Sequence, residues 1–368
     1  MEVHTALVNT GGFSAQELEN ISRKAKQLGS ITHVNIEATE IFYQKGIRYL
    51  LFGNILKNET YPLSVSSERI FQALALVDHA RKIKAAAIAH GSTGAGNDQV
   101  RFDLVFQVMA PDLTIIAPIR ELQITRKAEI DYLQKHGFDY SWEKAKYSIN
   151  QGLWGTSVGG VETLKASGVL PEEAWPHQVV KEGKEIISIG FTKGEPTALN
   201  GVSLTPVELI KQLNQAAHPY GIGRDIHVGD TIIGIKGRVG FEAPAALILI
   251  KAHHLLEKHI LTKWQQYWKK QLAEWYGMLL HEAQYLDPVM RNIERFLEDT
   301  QQRVSGTVAI ELMPKHFSLL ACSSPYDLMN SKFGEYGEIN KSFTGTDVQG
   351  FTRILGHQLN IYYSLNHE

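Results

Sequence analysis

The order of apolar and polar positions along roughly the first 140 residues predicts strands and helices in alternation. Short apolar runs, typical of buried strands, separate longer segments whose apolar residues repeat at helical spacing. Ser14 is a suitable N-cap and Gly29 a suitable C-cap for the first helix. The predicted strands are 4–9, 31–38, 85–89 and 113–118, and the predicted helices are 14–29, 66–85, about 98–109 and 126–137. This alternation implies a parallel sheet covered by helices.

The pattern changes in residues 138–185, where six glycines and the segment LPEEAWP predict loops that carry ligand groups. Beyond them, the predicted elements are strands 185–191 and 197–201, helix 205–217, a long helix 242–276 broken near Leu261, a strand pair in GTVAIEL and FSLLAC, and a final helix 350–366. We therefore expect an α/β domain over residues 1–140, an α+β domain over 141–345 and a C-terminal helix over 346–368. The apolar and aromatic positions of that helix predict docking on a neighbouring subunit.

Composition excludes several classes of function. Hydrophobic residues make up 43% and charged residues 21% of the 368, which is ordinary for a globular protein. The net charge of −2 provides no basic field for nucleic acid, and no apolar run approaches the ~20 residues of a membrane span. No basic region followed by an apolar stretch marks a secretory signal. The single cysteine, Cys322, cannot form an intramolecular disulfide, so we expect a cytoplasmic protein.

The segment HGSTGAGNDQVRFD, residues 90–103, carries the most informative chemistry. It follows the predicted strand 85–89, and its three glycines permit close backbone approaches that a side chain would block. Asn97 and Asp98 stand where the N-cap of the next helix belongs. A strand, a glycine loop and a helix N-terminus together form an anion or nucleotide site. The segment also holds polar residues that a simple turn does not need, namely Thr93, Asn97, Asp98 and Arg101.

This segment closely resembles the HGxTGKGNDQVRFE block of the argininosuccinate synthase family. Two further segments agree in the right order: YPLSVSSER (residues 61–69) resembles the family's tyrosine, serine and arginine segment, and YSINQGLWGTS (147–157) its serine-rich segment. The resemblance covers essentially the whole chain. It implies an α/β fold, with a parallel-sheet nucleotide-binding domain like that of the adenine nucleotide α-hydrolases, here N-terminally truncated. An α+β synthetase and oligomerisation domain with a C-terminal helix follows.

By this resemblance, the chain is a ligase of arginine biosynthesis that joins citrulline to aspartate. The ureido oxygen of citrulline attacks the α-phosphate of ATP, giving a citrullyl-adenylate and pyrophosphate, and the aspartate amine displaces AMP. ATP acts with Mg²⁺, no protein-bound metal is implied, and the protein is expected to be a homotetramer. Such catalysis depends mainly on positioning and on neutralising phosphate charge.

The resemblance also assigns roles to individual positions. Arg101 offers a planar fork for a carboxylate, and Asp98 accepts hydrogen bonds from a ureido or ammonium group. The expected catalytic residues are Asp98 and Arg101. The expected citrulline-binding residues are Tyr61, Ser66, Asn97, Asp98, Arg101, Ser148 and Ser157, the aspartate-binding residues are Thr93, Asn97 and Asp98, and the nucleotide-binding positions are Gly91, Thr93, Gly94 and Gly96.

Three departures from the family pattern change these expectations. Family members open with a strand and a Ser-Gly-Gly-Leu-Asp-Thr-Ser phosphate loop, whereas this chain opens with EVHTALVNTGGF, which resembles their second strand. We therefore expect little or no ligation by the chain as printed. Ala95 replaces a lysine found in many members. Gly229 and Phe241 replace a citrulline-binding glutamate and a tyrosine, and Asp230 is a candidate substitute for the lost carboxylate, while Lys236 and Arg238 match.

Other interpretations make different demands on the sequence. A truncated, non-catalytic homologue would bind amino acids or serve in assembly without turnover. A dinucleotide-dependent dehydrogenase would need G-x-G-x-x-G at its first strand-to-helix turn, and this chain has none there. His253, His254 and His259 lack a His-Glu-x-x-His pattern, so we expect packed or solvated histidines and not a metal site. The aromatic segment 264–276 is expected to pack at a subunit interface, because the acidic balance of the chain disfavours base stacking.

Overall fold

The alternation predicted for the N-terminal part is present in the computed structural model, which describes residues 2–94, 96–138, 146–330, 332, 334–338 and 341–366. The elements of this part are β1 His4–Asn9, α1 Ala15–Gln27, β2 Thr32–Glu37, the short helices α2 Thr39–Phe42 and α3 Arg48–Phe52 with a π-turn between them, α4 Ser64–Lys82, β3 Ala87–Ala89, α5 Asp98–Met109, β4 Thr114–Ile116, α6 Pro118–Glu121 and α7 Arg126–Lys135. The expected α/β class is confirmed.

The parallel strands form two pairs instead of one continuous sheet. β1 pairs with β2 and β3 pairs with β4, both in parallel register. A groove of about 550 Å³ separates the edges of β1 and β3, and residues 2–6, residues 85–89 and side chains of α4 line it. Among the described strands, none lies in this groove. A single sheet was expected because alternation specifies which strands are parallel but not which edges meet.

Local signals explain the first helices. Ser14 caps α1 through a reciprocal pair of hydrogen bonds with Glu17, so that two backbone N–H groups at the helix start are satisfied. α4 begins after Leu63, which has a left-handed φ of 59° although it carries a side chain. Leu63 is fully buried, and packing around its side chain offsets the backbone strain at this turn.

Residues 148–159 correct the expectation of loops. They form an antiparallel hairpin of β5 Ser148–Gly152 and β6 Gly155–Gly159. β6 pairs further with β11 Lys236–Glu242, which pairs with β10 Arg224–Asp230. β5 is SINQG, which has no alternation of apolar and polar residues, and its first four residues are exposed. Because residues of both faces are open to water, the strand carries no hydrophobic signal for sequence analysis to detect.

A second antiparallel sheet follows the order β13-β12-β7-β8-β9. Its strands are β7 Glu185–Thr192, β8 Glu195–Leu199, β9 Val202–Ser203, β12 Gly306–Met313 and β13 His316–Ser323, so both predicted strand pairs are present. The helices are α8 Pro206–Ala217, α9 Pro244–Ile260, α10 Lys263–His281 and α11 Pro288–Thr300. The break expected near Leu261 is confirmed, because Thr262 caps a new helix there through a capping box with Gln265.

Contacts divide the chain into the units Met1–Pro325 and Tyr326–Glu368. The second unit contains α12 Gly345–Leu355 and α13 His357–Leu365. The single helix expected over 350–366 is thus two helices, since Gly356 caps the first and precedes the second. Neither helix has a buried residue among those described. No helix in the described part of the chain is long and apolar enough to cross a membrane.

Candidate functional site

A polar cavity of about 380 Å³ lies in the first unit, where the start of α4, the N-terminus of α5, strand β6 and the β10–β11 hairpin meet. It brings together most of the residues expected to bind ligand. Those lining it are Tyr61, Ser66, Thr93, Gly96, Asn97, Asp98, Arg101 and Ser157. Segments separated by about a hundred residues of sequence thus contribute to one concave surface, as binding sites commonly require.

Three expected residues lie outside the lining. Ser148 is the exposed first residue of β5, paired with Gly159, whereas Ser157 pairs with Asn150 nearer the hairpin turn. The hairpin therefore places Ser148 two residue pairs further from the turn than Ser157, on the same face of the strand pair. Gly91 and Gly94 belong to the loop before α5 but do not line the cavity. Ala95, the position of the family lysine, is outside the described residues.

The glycine loop is tied to the helix that follows it. The Gln99 side-chain amide donates to the carbonyls of Gly94 and Gly96, at 2.7 and 3.2 Å. Asn97, at the N-cap, makes no capping bond, and its Oδ1 instead accepts from the backbone N–H of Ile232 at 2.8 Å. Asn97 thereby joins the start of α5 to the β10–β11 hairpin. The first N–H groups of α5 stay available to a ligand, since no side chain caps them.

Asp98 lies between two arginines. Arg69 donates through Nε to one carboxylate oxygen at 2.9 Å, and Arg101 donates through Nη1 to the other at 3.1 Å. Burial alone would raise the pKa of Asp98, but the two guanidinium groups outweigh it and hold that pKa below its usual value. Asp98 is therefore ionised at neutral pH, and its carboxylate is a fixed negative charge at the cavity wall.

Arg101 is anchored on its other side by α10. Its side chain is 4% exposed, and Nε and Nη2 both donate to the carbonyl of His281, at 3.2 and 3.0 Å. Nη2 also contacts the His281 ring at 3.3 Å. With Nη1 on Asp98, four of the five guanidinium donors are engaged. The planar fork expected for a substrate carboxylate is therefore occupied, and Arg101 offers one N–H and a positive charge.

Two neutral imidazoles complete the polar wall. Burial lowers the pKa of His281 to about 3, with Arg101 adding to the effect, and burial lowers that of His227 to about 4, with Lys57 adding. His281 Nε2 and His227 Nδ1 are buried and have no hydrogen-bond partner. Both rings line the cavity, but these two nitrogens are closed off from solvent, so a ligand bonds to them only if the groups around them shift.

The Tyr61 ring forms the floor of this region. It stacks on His227 with ring centroids 4.9 Å apart and meets Phe241 edge-on at 5.3 Å. Its hydroxyl accepts from the backbone N–H of Val65 at 3.2 Å and from Ser64 Oγ at 3.3 Å. Phe241, which replaces the family tyrosine, is fully buried under Tyr61 and is not part of the lining.

The β10–β11 hairpin supplies the remaining charges. Gly229 and Asp230 line the cavity where the family glutamate was expected, and Asp230 pairs with Lys236 at 2.7 Å. A Cβ on Gly229 would lie 2.6 Å from the His227 ring, so this position has no room for a larger residue while His227 stays in place. Arg238 also lines the cavity, and it donates to the carbonyls of Glu162, Lys165 and Gly168 at 2.7–3.0 Å.

Several residues that line the cavity were not predicted from the sequence. Arg69 and Asn150 line the cavity and bond to each other at 3.4 Å, although Arg69 had been noted only as part of a segment resemblance. His227 and His281 come from β10 and α10 and carry no local motif. Among the described lining residues, no serine hydroxyl bonds to a histidine ring, so the arrangement favours binding and charge neutralisation over nucleophilic catalysis.

Comparisons with known proteins agree with this geometry. Residues 1–139 match the family model described as the arginosuccinate synthase N-terminal HUP domain, and residues 147–362 match the arginosuccinate synthase C-terminal domain. The chain is similar to argininosuccinate synthase of Methanocaldococcus jannaschii, with 37% identity over 95% of this chain and 89% of that protein. It is 34% identical to the Xanthomonas campestris protein of that name (99% and 92% covered) and 36% identical to that of Dictyoglomus thermophilum (98% and 91%).

Proposed function

Since the chain belongs to the argininosuccinate synthase family, we propose that it joins citrulline to aspartate at the expense of ATP. The products are argininosuccinate, AMP and pyrophosphate. The observation that supports this most is the single cavity that gathers Asp98, Arg101 and the neutral imidazoles from three separate segments. A small zwitterion with a polar, uncharged tail matches that mixture of fixed charges and open hydrogen bonds.

Citrulline fills the inner part of the cavity in this proposal. Its ammonium group lies against the carboxylate of Asp98 or Asp230, and its carboxylate is drawn by Arg101 and by the Ser66 and Ser157 hydroxyls. The ureido tail is polar and uncharged, so it suits the part of the cavity lined by the neutral rings of His227 and His281. Ser148 lies two residues from Asn150 on the same face of the hairpin but does not line the cavity, so it contacts citrulline only if the hairpin moves.

Aspartate and ATP approach the side formed by the glycine loop. Thr93 and Asn97 contact aspartate, and the loop from Gly91 to Gly96 contacts the nucleotide. The uncapped N-terminus of α5 faces that region with free N–H groups and the positive end of the helix dipole, which favours phosphate oxygens. Mg²⁺ enters with ATP as part of the substrate, because phosphates usually supply much of its coordination.

Catalysis follows from placement. The ureido oxygen of citrulline attacks the α-phosphorus, the bond to pyrophosphate breaks, and the aspartate amine then attacks the ureido carbon and releases AMP. Holding both partners in contact replaces a bimolecular encounter with an intramolecular one. Arg69 and Arg101 lie 2.9 and 3.1 Å from Asp98 and keep net positive charge beside the site of phosphate transfer.

Two assays test the proposal. Calorimetry measures citrulline binding by the chain alone, and pyrophosphate release is measured with citrulline, aspartate and ATP together and with each omitted. With citrulline carrying ¹⁸O in its ureido group, the label must appear in AMP, since that oxygen bonds to the α-phosphorus. Label that stays in argininosuccinate would refute the adenylate step, and citrulline binding without turnover would identify a non-catalytic homologue.

A matched pair of variants tests whether citrulline binds in this cavity. Asp98→Asn removes the carboxylate between the two arginines, whereas Asp103→Asn alters a carboxylate of the same helix that pairs with His90 and Arg120 and does not line the cavity. We expect Asp98→Asn to weaken citrulline binding about tenfold or more, because one charge-assisted hydrogen bond is lost. Asp103→Asn should bind like the parent, and equal effects of both changes would contradict the proposed site.

We also propose that the chain assembles as a homotetramer, partly through the C-terminal unit. The sides of α12 and α13 present large apolar residues to solvent, among them Phe351, Ile354, Leu355, Leu359, Tyr362 and Leu365. Exposed clusters of this kind usually mark interfaces. Light scattering on the full chain and on a version ending near Gly345 should give a tetramer and a smaller species, and a monomeric full chain would end the idea. The cytoplasmic location stays a prediction.

A further inference from the structure

Outside the proposed ligand cavity, two histidines and a glutamate converge from three segments of the first unit. His177 lies in the loop before β7, His218 follows α8, and Glu242 ends β11. Their ligand atoms all lie within 4.8 Å of one another, and among the described residues this is the only such group of three. We propose that His177, His218 and Glu242 bind a divalent transition-metal ion, with Zn²⁺ the best match.

The distances between the ligand atoms are close to those found around a bound metal ion. Glu242 Oε1 lies 2.8 Å from His177 Nδ1 and 3.6 Å from His218 Nε2. Ligands about 2.0–2.1 Å from a metal are about 2.9 Å apart at right angles and about 3.4 Å apart in a tetrahedron. The two rings stack with centroids 3.6 Å apart and planes 9° from parallel. Since a metal lies in the plane of each imidazole that binds it, at least one of these parallel rings must rotate before both nitrogens can bind the same ion.

Hydrogen bonds and ion pairs from neighbouring residues hold these ligands in place. Glu242 is completely buried, and its other oxygen accepts from Arg224 Nε at 3.3 Å. Arg224 also donates to the main-chain carbonyl of His177 and pairs with Glu172 at 2.5 Å. One guanidinium thus fixes both the loop of His177 and the carboxylate, while leaving Oε1 directed at the imidazoles. Partners of this kind orient metal ligands and raise their affinity.

The cluster has an open side. A cavity of about 260 Å³ reaches His177 and His218 and is also lined by Thr156, Lys211 and Asn214. Water can therefore complete the coordination of an ion held by three protein ligands. This cavity shares no described lining residue with the proposed ligand cavity. Alternation along β6 and β11 explains the separation, since Ser157 and Phe241 lie on the side of Tyr61 and Thr156 and Glu242 on the other.

The donor set selects the kind of ion. Two imidazoles and one carboxylate suit Zn²⁺ and its neighbours, whereas Mg²⁺ and Ca²⁺ prefer oxygen ligands. Arg224 and Lys211 lie nearby and add positive charge, which further disfavours ions held only by electrostatic attraction.

A second buried histidine and glutamate pair provides the contrast. His253 and Glu257 lie 3.9 Å apart, but Lys269 contacts Glu257 at 2.7 Å and Gln301 bonds to both residues. An ammonium group already occupies the position that a metal would take. At Glu242, the corresponding oxygen pairs with the imidazoles of His177 and His218, and no lysine or arginine pairs with it among the described residues.

The test uses the full chain without an affinity tag and without ATP. Zn²⁺ is titrated by calorimetry in a buffer containing excess Mg²⁺, and Co²⁺ serves as a second probe whose visible absorption reports low coordination number. His177→Phe and His218→Phe keep the stacked rings and remove one ligand nitrogen each. His316→Phe changes an exposed histidine on β13 and is the matched control.

We expect one Zn²⁺ per chain, an increase in Tm with Zn²⁺, and an affinity loss of about a hundredfold in each cluster variant but none in the control. Circular dichroism of the metal-free variants verifies that they fold. Failure of the parent chain to take up Zn²⁺ would show a hydrogen-bonded cluster only. Uptake that is equal in parent and cluster variants would show adventitious binding elsewhere. Either result overturns the proposal, and neither bears on the proposed ligation, whose residues lie in the other cavity.

Discussion

Replacing Glu68 by glutamine should remove a pH-dependent loss of stability. Glu68 lies on α4 next to the cavity residue Arg69 and is wholly buried. Thr10 donates to its Oε2 at 2.9 Å, but Oε1 has no partner and faces Gly152, where an added Cβ would lie only 1.6 Å away. Burial raises the pKa of Glu68 to about 8; Arg69 and Thr10 oppose this rise and Asp98 adds to it.

The sign of the effect follows from proton binding. Between the ordinary pKa of 4.5 and about 8, folded Glu68 holds a proton that it has lost in the unfolded chain. Stability therefore falls as pH rises through this window, by about 1.4 kcal/mol per pH unit. Above the folded pKa, the free energy of unfolding has fallen by about 5 kcal/mol in total and falls no further. About 2 kcal/mol of this decrease occurs between roughly pH 6 and 8. A glutamine at this position stays neutral at every pH, so its variant does not show this decrease in stability.

The measurement is guanidinium unfolding of the parent and Glu68→Gln at several pH values, with the m-value verified to be constant. Any fixed cost of placing an amide beside Gly152 is the same at every pH, so the difference in slope isolates the titration. Glu274→Gln, on the exposed face of α10, is the control and should follow the parent. Parallel stability profiles for the parent and Glu68→Gln would refute the reasoning.

Three further changes test other parts of the structure. Arg101→Lys keeps the charge but cannot bond to both Asp98 and the α10 carbonyl, so citrulline affinity measured by calorimetry should fall about tenfold or more, and an unchanged Kd would contradict the role given to the guanidinium. Phe241→Tyr places a hydroxyl in a fully buried position, which should cost about 1–3 kcal/mol in denaturant unfolding; a more stable variant would mean that a partner is available there. Gly12→Ala places a Cβ 1.9 Å from the Gln151 carbonyl oxygen, so the free energy of unfolding should fall by about 1–3 kcal/mol, and a neutral effect would show that the loop of Gly12 can move away from β5.

The sequence by itself determined the elements whose signals are local. Ser14 and Glu17 predict the start of α1 because a capping box is complete within four residues. The break between α9 and α10 follows from Thr262 in the same way. The glycine loop and its polar residues could be identified as a site because they are contiguous, and the resemblance they carry indicated the family that the comparisons then showed.

Pairing between strands required the tertiary structure. β5 is exposed along most of its length, so its residues carry no hydrophobic alternation, and only the partner β6 defines it as a strand. The separation of the parallel strands into two pairs was equally hidden, since each strand sequence is compatible with a neighbour on either edge. Strand edges pair through backbone N–H and C=O groups, which nearly all residue types supply, so the side chains do not specify which edges meet.

The finest features of the site also depend on distant contacts. Arg101 was expected to offer its fork to a substrate, but α10 brings the His281 carbonyl, 180 residues away, within 3.0 Å of it. His177, His218 and Glu242 stand far apart in sequence and share no motif, yet the end of β11 gathers them around one carboxylate oxygen. Spacing along a chain encodes contacts only within a helix turn or a hairpin; contacts across the core arise from packing, which no short segment specifies.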